Sequence, residues 1–297
     1  MFKAKCVGGA IALLFSGACL AQVFVGELDG PSEVPGPGDP DGTGQGAAWI
    51  IDGSIHFDIL VQDVTLPLTL AHIHDGDADE AGPVVVDFTP FINGNSIRGV
   101  VPIDDALASS IAADPGGFYF NVHNDDFPGG AVRGQLQSQA TTRLQAELLA
   151  ENEVPTPGPA GGNGFADVRL GGFAAAFDFS ADGIEIPPIL DHIHQGPAGV
   201  NGPVVVDFDP VTWTGGPSSG EARGIVLADP GVIADVIANP QGHYVNIHTN
   251  NFPGGAIRGQ LSSPPTGAAV SIPVNAGWAL LLMVLALIAA GIVAFRR

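Results

Sequence analysis

Phe127-Pro-Gly-Gly-Ala-Val-Arg-Gly-Gln135, preceded by Asn121-Val-His123, returns almost unchanged later in the chain. The second copy is Phe252-Pro-Gly-Gly-Ala-Ile-Arg-Gly-Gln260, preceded by Asn246-Ile-His248. The two copies are 125 residues apart, measured from His123 to His248. A period of this length indicates duplication of a whole domain, because solenoid repeats have much shorter periods.

A second pair of matching stretches lies upstream and supports the duplication. His72-Ile-His74 and Gly82-Pro-Val-Val-Val-Asp-Phe88 reappear as His192-Ile-His194 and Gly202-Pro-Val-Val-Val-Asp-Phe208. This pair is offset by 120 residues, so an insertion of five residues separates the two sets of motifs in the second copy. We therefore predict a first domain at 22–141 and a second at 142–262.

The two ends of the chain have the composition of targeting segments. Residues 1–21 carry Lys3 and Lys5, an apolar run and small residues up to Ala21, which is the pattern of a secretory signal peptide. Residues 276–295 contain no charge and are followed by Arg296-Arg297. Twenty such residues can cross a hydrocarbon core of about 30 Å. We expect a transmembrane helix with its arginine tail at 276–297, after a linker at 263–275.

The segment between these ends is strongly acidic and has neither lysine nor cysteine. Six arginines face 31 carboxylates, which gives a charge of 6 − 31 = −25. This charge argues against nucleic acid as a ligand and leaves cations or other proteins as candidates. The positive-inside rule places the acidic segment outside the membrane. We predict an exported protein of the bacterial cell envelope or surface, anchored at its C-terminus or released after processing.

The pattern inside each domain predicts short strands. Ala48–Ile51 and Ser54–Val61 flank Asp52-Gly53, which is typical of a two-residue hairpin turn. Many short strands together with 42 glycines and 25 prolines predict an all-β fold, with two tandem antiparallel β-sandwich domains. We also expect one short helix in each domain, at Asp104–Ala113 and Pro230–Ala238.

Six of the eight histidines fall at matching places in the two copies. Alternation along a strand puts His72 and His74 on one face, and Tyr119, Asn121 and His123 share a face of a later strand. The candidate metal ligands are therefore His72, His74, His123, His192, His194 and His248. Imidazoles in this arrangement could bind copper or zinc if the two strands are neighbours. The alternative is that they form hydrogen bonds with carboxylates and loop backbone.

Two further charged features are a pair of repeated arginines and an acidic loop in the first domain. Arg133 and Arg258 recur inside Gly-Gly-Ala-x-Arg-Gly-Gln, and we expect them to be buried ion-pair anchors rather than catalytic groups. The acidic loop Asp75–Glu80 could hold calcium, although it lacks the spacing of an EF-hand and is not repeated in the second domain. A solvated loop is the favoured interpretation.

The combined motifs resemble a known extracellular module. His-x-His, Gly-Pro-Val-Val-Val-Asp-Phe, Tyr-x-Asn-x-His and Pro-Gly-Gly-Ala-x-Arg-Gly-Gln-Leu together resemble the CHRD domain, first named from chordin, in both copies. This resemblance implies an extracellular binding or structural module. The segment Ser271–Trp278 and the following apolar run are similar to the IPTL-CTERM type of bacterial sorting tail, which implies removal by a membrane protease.

These observations favour a non-catalytic protein that is displayed outside the cell. The expected partners are the membrane, through 276–295, a sorting protease, and an extracellular protein or matrix ligand. The alternative function is binding of copper or zinc by a histidine trio in each domain, or a redox activity built on such a site. The sequence has no phosphate-binding loop and no G-x-G-x-x-G dinucleotide fingerprint, and its only cysteines, Cys6 and Cys19, lie in the predicted signal peptide.

Overall fold

The computed structural model describes residues 22–265. The predicted signal peptide at 1–21, the transmembrane helix at 276–297 and the IPTL-CTERM-like tail lie outside the described residues, as does most of the linker at 263–275. Within 22–265, no helix has the length and apolar character needed to span a membrane.

The first domain is built from ten strands. They are β1 (Gln22–Asp29), β2 (Thr43–Ile51), β3 (Ser54–Gln62), β4 (Leu68–Asp75), β5 (Val84–Asp87), β6 (Ile92–Asn93), β7 (Ser96–Pro102), β8 (Phe118–Asn124), β9 (Val132–Gln135) and β10 (Gln137–Gln139). All of them belong to one antiparallel sheet, in the order β5-β4-β8-β9-β1-β2-β3-β7-β6, and β10 pairs with β1.

The second domain repeats this arrangement with nine strands. They are β11 (Thr142–Leu149), β12 (Asn163–Gly171), β13 (Ala174–Asp182), β14 (Leu190–Gln195), β15 (Val204–Asp207), β16 (Trp213–Gly216), β17 (Ser219–Leu227), β18 (His243–His248) and β19 (Ile257–Gln260). Their order is β15-β14-β18-β19-β11-β12-β13-β17-β16, which matches the first domain strand for strand.

Each domain also carries one α-helix at the predicted place. These helices are α1 (Asp105–Ala113) and α2 (Pro230–Ala238), and four 3-10 turns lie at Thr89–Phe91, Pro115–Gly117, Ala150–Asn152 and Pro240–Gly242. The carboxylate of Asp104 accepts a hydrogen bond from the N–H of Leu107 at 2.7 Å, and Asp229 caps α2 in the same way. These caps satisfy N–H groups that the first turn of a helix leaves without partners.

The prediction of an all-β, antiparallel fold is confirmed, but each domain is one continuous sheet rather than two separate ones. The sheet curls so that its two halves face each other. The ring of Phe57 on β3 stacks on Phe88, just after β5, with centroids 3.8 Å apart. The paired glycines Gly26 on β1 and Gly46 on β2 leave room for Phe120, because a Cβ atom on them would lie 3.0 and 2.8 Å from its ring. The predicted β2–β3 turn is also present, with positive φ at both Asp52 and Gly53.

The two domains pack on each other through their sheets, and together they form one compact unit. A small apolar cluster lies between them and combines Val23, Ala47 and Trp49 of the first domain with Ala174, Ala176 and Ile225 of the second. Trp49 is only 1% exposed. Burial of this cluster stabilises the pairing of the domains, since apolar surface removed from water contributes about 25 cal/mol per Å2.

Charged side chains surround this apolar contact and connect the two domains. Asp58 accepts hydrogen bonds from Arg98 at 2.7 Å and from the backbone N–H of Leu227, in the other domain, at 2.8 Å. Arg223 of the second domain contacts Asp178 at 2.9 Å and Asp52 of the first domain at 2.6 Å. Each domain therefore contributes an aspartate–arginine pair that also reaches its neighbour.

Candidate metal centre

The three repeated histidines of the first domain come together because β4 and β8 are adjacent strands. In the antiparallel register, His72 lies opposite Asn121 and His74 lies opposite Tyr119. The alternation of side chains then places His72, His74 and His123 on one face of the sheet. The second domain has the same pairing between β14 and β18. This long-range pairing is the geometry that the sequence could not establish.

The imidazole rings are close enough to share one ion. In the first domain the ring centroids are 5.4 Å apart for His72–His74, 5.3 Å for His72–His123 and 6.2 Å for His74–His123. The corresponding distances in the second domain are 5.4, 5.3 and 5.7 Å. In each trio, one ligand nitrogen per histidine lies within 4.8 Å of the others. We call these groups the first and second histidine trios.

Hydrogen bonds fix which nitrogen two members of each trio can offer. The Nδ1 atom of His74 lies 2.8 Å from the carbonyl oxygen of Gly82, and Nδ1 of His123 lies 3.1 Å from that of Pro128. A carbonyl can only accept, so Nδ1 carries the hydrogen and Nε2 keeps a free lone pair. Both Nε2 atoms are buried and have no hydrogen-bond partner within the described residues. Metal-bound histidines commonly donate their second nitrogen to a backbone carbonyl in this way.

His72, the third member of the first trio, offers Nδ1 rather than Nε2. Nδ1 of His72 is buried and has no partner among residues 22–265, and its Nε2 faces Asp87 at 3.7 Å from a carboxylate oxygen. The second trio repeats each of these contacts, with Gly202, Pro253 and Asp207 in the matching places. Each domain therefore gathers three unpaired imidazole nitrogens in one buried place.

Burial keeps these histidines in the neutral form that a metal requires. It lowers the pKa of His123 and of His248 to about 4. Burial also lowers the pKa of the other four members, His72, His74, His192 and His194. Neutral imidazoles at pH 7 can bind a cation without first losing a proton.

An aromatic ring and a buried arginine support each trio. The ring of Tyr119 stacks on His74 with centroids 4.9 Å apart, and the guanidinium carbon of Arg133 lies 3.4 Å from the Tyr119 centroid. Tyr244 and Arg258 repeat this arrangement around His194. Arg133 also donates to the carbonyl oxygen of Asp77 at 2.6 Å.

The predicted role of Arg133 and Arg258 is therefore only half right. Both are 1% exposed, as expected of anchors, but in the described residues their close contacts are aromatic faces, backbone carbonyls and neutral amides, and their buried carboxylates, Glu33 and Glu153, interact with them only beyond ion-pair distance. Within the described residues, the arginine ion pairs are made by Arg98, Arg143, Arg169 and Arg223. A cation over an aromatic face gains electrostatic energy without a counter-charge.

Sequence reasoning missed one buried carboxylate in each domain. Glu33 is 7% exposed, and its carboxylate lies 3.4 Å from the side-chain nitrogen of Asn121, which sits opposite His72. Burial raises the pKa of Glu33, and of its counterpart Glu153, to about 7. The sequence did contain an indication, because Glu33-Val-Pro35 recurs as Glu153-Val-Pro155 at the same offset of 120.

The structure also places the remaining candidate groups. The carboxylates of the Asp75–Glu80 loop form no close group of three within the described part of the chain, and the carbonyl of Asp77 is bound to Arg133. His56 lies beside Trp49 in the interdomain region. His243, the other histidine outside the trios, is 1% exposed, and its Nδ1 lies 2.9 Å from the carbonyl oxygen of Asn239.

A comparison with protein-family models agrees with this repeated geometry. The CHRD domain model matches residues 24–136 and again residues 144–261, which together make up most of the chain. The chain belongs to the CHRD domain family. A search of curated proteins found no significant match.

The two matched ranges contain everything that builds the site. Each CHRD domain includes its histidine trio, the tyrosine and arginine stacked beside it, and the buried glutamate. The IPTL-CTERM-like tail falls outside both matched ranges and stays a prediction.

Proposed function

We propose that this tandem CHRD protein is an extracellular binding protein that holds one copper or zinc ion at the histidine trio of each domain. The observation that supports the proposal most strongly is the set of buried, unpaired nitrogens within 4.8 Å of one another, present in both domains. Three imidazole nitrogens around an open position are a ligand set that both metals accept.

The energetics support a ligand at this place. A buried polar group without a partner costs about 1–3 kcal/mol, and each trio contains three such nitrogens. A bound ion would offset this cost, and the carbonyls on the far side of two rings would fix their orientation. Hydrogen bonding alone, the alternative explanation of the histidines, leaves these three nitrogens unexplained.

The wider chemistry of the chain fits a binding role. The segment between the predicted signal peptide and the predicted transmembrane helix has a net charge of −25, from 6 arginines and 31 carboxylates, which attracts cations to the surface. Membership of the CHRD family supports an extracellular binding or structural module rather than an enzyme. The absence of enzymatic activity remains a prediction.

Metal content of the full chain tests the proposal. Untagged protein would be stripped with a chelator, loaded with copper or zinc, dialysed and measured by elemental mass spectrometry. We expect at least one equivalent per trio, and the double variant His74→Gln/His123→Gln should lose one. His56→Gln is the matched control, because His56 belongs to neither trio. Less than about a tenth of an equivalent per trio in the loaded wild type would overturn the proposal.

The location outside the cell is part of the same proposal. We expect the signal peptide at 1–21 to direct export, and the segment 276–295 to hold the protein at the membrane until a sorting protease removes it. Cell fractionation with mass spectrometry of the native protein tests this. Recovery of the intact chain, with its N-terminal Met1, from the cytoplasm would contradict it.

A further inference from the structure

The second domain contains another close group of ligand atoms that shares one histidine with its trio. His192, Asp207 and Asp209 each offer an atom within 4.8 Å of the other two. His192 reaches both groups because its two ring nitrogens face different neighbours. Its Nδ1 is the buried, unpaired nitrogen of the trio, whereas its Nε2 lies 3.7 Å from a carboxylate oxygen of Asp207.

The hydrogen bonding of His192 differs from that of its two companions. His194 and His248 each place Nδ1 on a backbone carbonyl, so one nitrogen is satisfied. His192 is 7% exposed, and within the described residues neither of its nitrogens has a partner at hydrogen-bond distance. Its buried Nδ1 therefore has unmet bonding capacity, whereas its Nε2 faces the exposed carboxylate of Asp207. An ion bound at the trio would engage Nδ1 only.

The first domain shows what the additional carboxylate changes. At the place of Asp209 it has Thr89, whose hydroxyl oxygen accepts a hydrogen bond from the N–H of Ala71 at 3.3 Å. In the second domain Oδ2 of Asp209 takes the same bond from the N–H of Asp191 at 2.9 Å. The first domain therefore has a neutral hydroxyl where the second has a carboxylate, whose Oδ1 accepts no hydrogen bond from the described residues.

The loop that carries the two aspartates is held in place by its own bonds. The N–H of Asp209 donates to Oδ1 of Asp207 at 2.9 Å, which leaves the other oxygen of Asp207 without a partner in the described structure. From the first domain, Arg98 donates to the backbone carbonyl of Asp209 at 2.8 Å. The side chain of Asp207 is 60% exposed, so an ion can reach this place from solvent.

We infer that the second domain has an additional divalent-cation site, formed by Nε2 of His192 and carboxylate oxygens of Asp207 and Asp209, which the first domain lacks. One imidazole and two carboxylates suit zinc, which accepts both nitrogen and oxygen ligands. Calcium is disfavoured because it takes oxygen ligands. The site goes beyond the proposed function. With the trio empty, His192 offers Nε2 while Nδ1 carries the ring proton; filling both sites at once requires His192 to release that proton and bridge the two ions as an imidazolate.

Zinc stoichiometry of the full chain tests the inference. Native mass spectrometry and calorimetric titration would compare the wild type with Asp209→Thr, which copies the first domain and keeps an acceptor for the N–H of Asp191. We expect this variant to bind one zinc ion fewer. Asp182→Thr makes the same charge change at an exposed strand end and should leave the stoichiometry unchanged. Thr89→Asp should add one zinc ion in the first domain.

The measurement is repeated in a background that disables the second trio, His194→Gln/His248→Gln. The inferred site should still take up zinc there and lose it with Asp209→Thr. Equal zinc content and affinity in wild type and Asp209→Thr would overturn the inference, whatever the trios bind. The proposed function is tested separately. It would fail if variants that replace trio histidines bound as much metal as the wild type.

Discussion

The hydroxyl oxygen of Tyr119 accepts a hydrogen bond from the backbone N–H of Gly82 at 3.2 Å. The carbonyl of the same glycine accepts from Nδ1 of His74, so Tyr119 fixes the group that orients a histidine of the first trio. Tyr244, Gly202 and His194 repeat this relation in the second domain. The tyrosine is therefore a positioning residue, which acts on the trio through the loop.

Replacing this tyrosine should weaken metal binding without abolishing it. Tyr119→Phe removes the hydroxyl but keeps the ring that stacks on His74. We expect the Kd of the first trio for zinc or copper to rise about tenfold, as for other groups that support a ligand. Competition titration measures the change, and the unaltered second trio is the internal control. An unchanged Kd at the first trio would show that Gly82 keeps its place without the tyrosine.

Glycine at position 130 should be indispensable, whereas its neighbour should tolerate change. Gly130 has a φ of 142°, and a Cβ atom there would lie 2.3 Å from Oε2 of Glu33. We expect Gly130→Ala to lower the free energy of unfolding by about 2–4 kcal/mol through backbone strain and overpacking. Gly129→Ala is the matched control, since nothing lies within 4 Å of its Cβ. Equal stability of both variants in urea unfolding would contradict this explanation of the Pro-Gly-Gly motif.

The buried glutamates should contribute less to the stability of the metal-free protein as pH rises. Glu33 has an ordinary pKa of 4.5 when unfolded and a pKa of about 7 when folded, because of its burial. Between these values the folded state holds a proton that the unfolded state has lost. The stabilisation is therefore complete below pH 4.5 and is lost as pH rises towards 7.

The neutral variant Glu33→Gln isolates this effect. At each pH we take the free energy of unfolding of Glu33→Gln minus that of wild type. This difference should be more positive at pH 8 than at pH 4.5, by on the order of 3 kcal/mol. The histidines act in the opposite direction, since their lowered pKa values destabilise the fold as pH falls below 6.5, but they are the same in both proteins and cancel in the difference. A difference that does not vary with pH would refute the raised pKa of Glu33.

The interdomain contact predicts a large effect of one tryptophan. Trp49 is 1% exposed and packs in the apolar cluster between the domains. We expect Trp49→Ala to cost about 3–5 kcal/mol, as for other large core truncations. Phe165→Ala removes a ring that is 41% exposed and should cost far less. Chemical denaturation measures the free energy of unfolding of both variants. A loss for Trp49→Ala no larger than that for Phe165→Ala would show that the interdomain contact contributes little to stability.

Local pattern was enough to predict part of this structure. Alternation placed His72 and His74 on one face, and Asp52-Gly53 marked the turn between β2 and β3. The capping carboxylate of Asp104 marked the start of α1. Each of these inferences depends on residues that are close in sequence, where backbone geometry fixes the relation.

Other features depend on residues that are distant in sequence. The pairing of β4 with β8 brings His123 to His74 across 49 residues, and nothing local encodes it. The continuous curl of each sheet likewise follows from contacts such as Phe57 with Phe88. The contact between the domains had one local indication, since the apolar run from Ala47 to Ile51 is typical of a strand buried on both faces.

The packing of β17 across the first domain has a consequence for truncation. A chain cut near residue 141 would leave Val23, Ala47 and Trp49 on a sheet surface that the second half no longer covers. Such a fragment would carry an apolar patch in water and would tend to self-associate, with another copy in place of its lost companion. The duplication has thus produced two halves that each have a core of their own and that cover one apolar surface on each other.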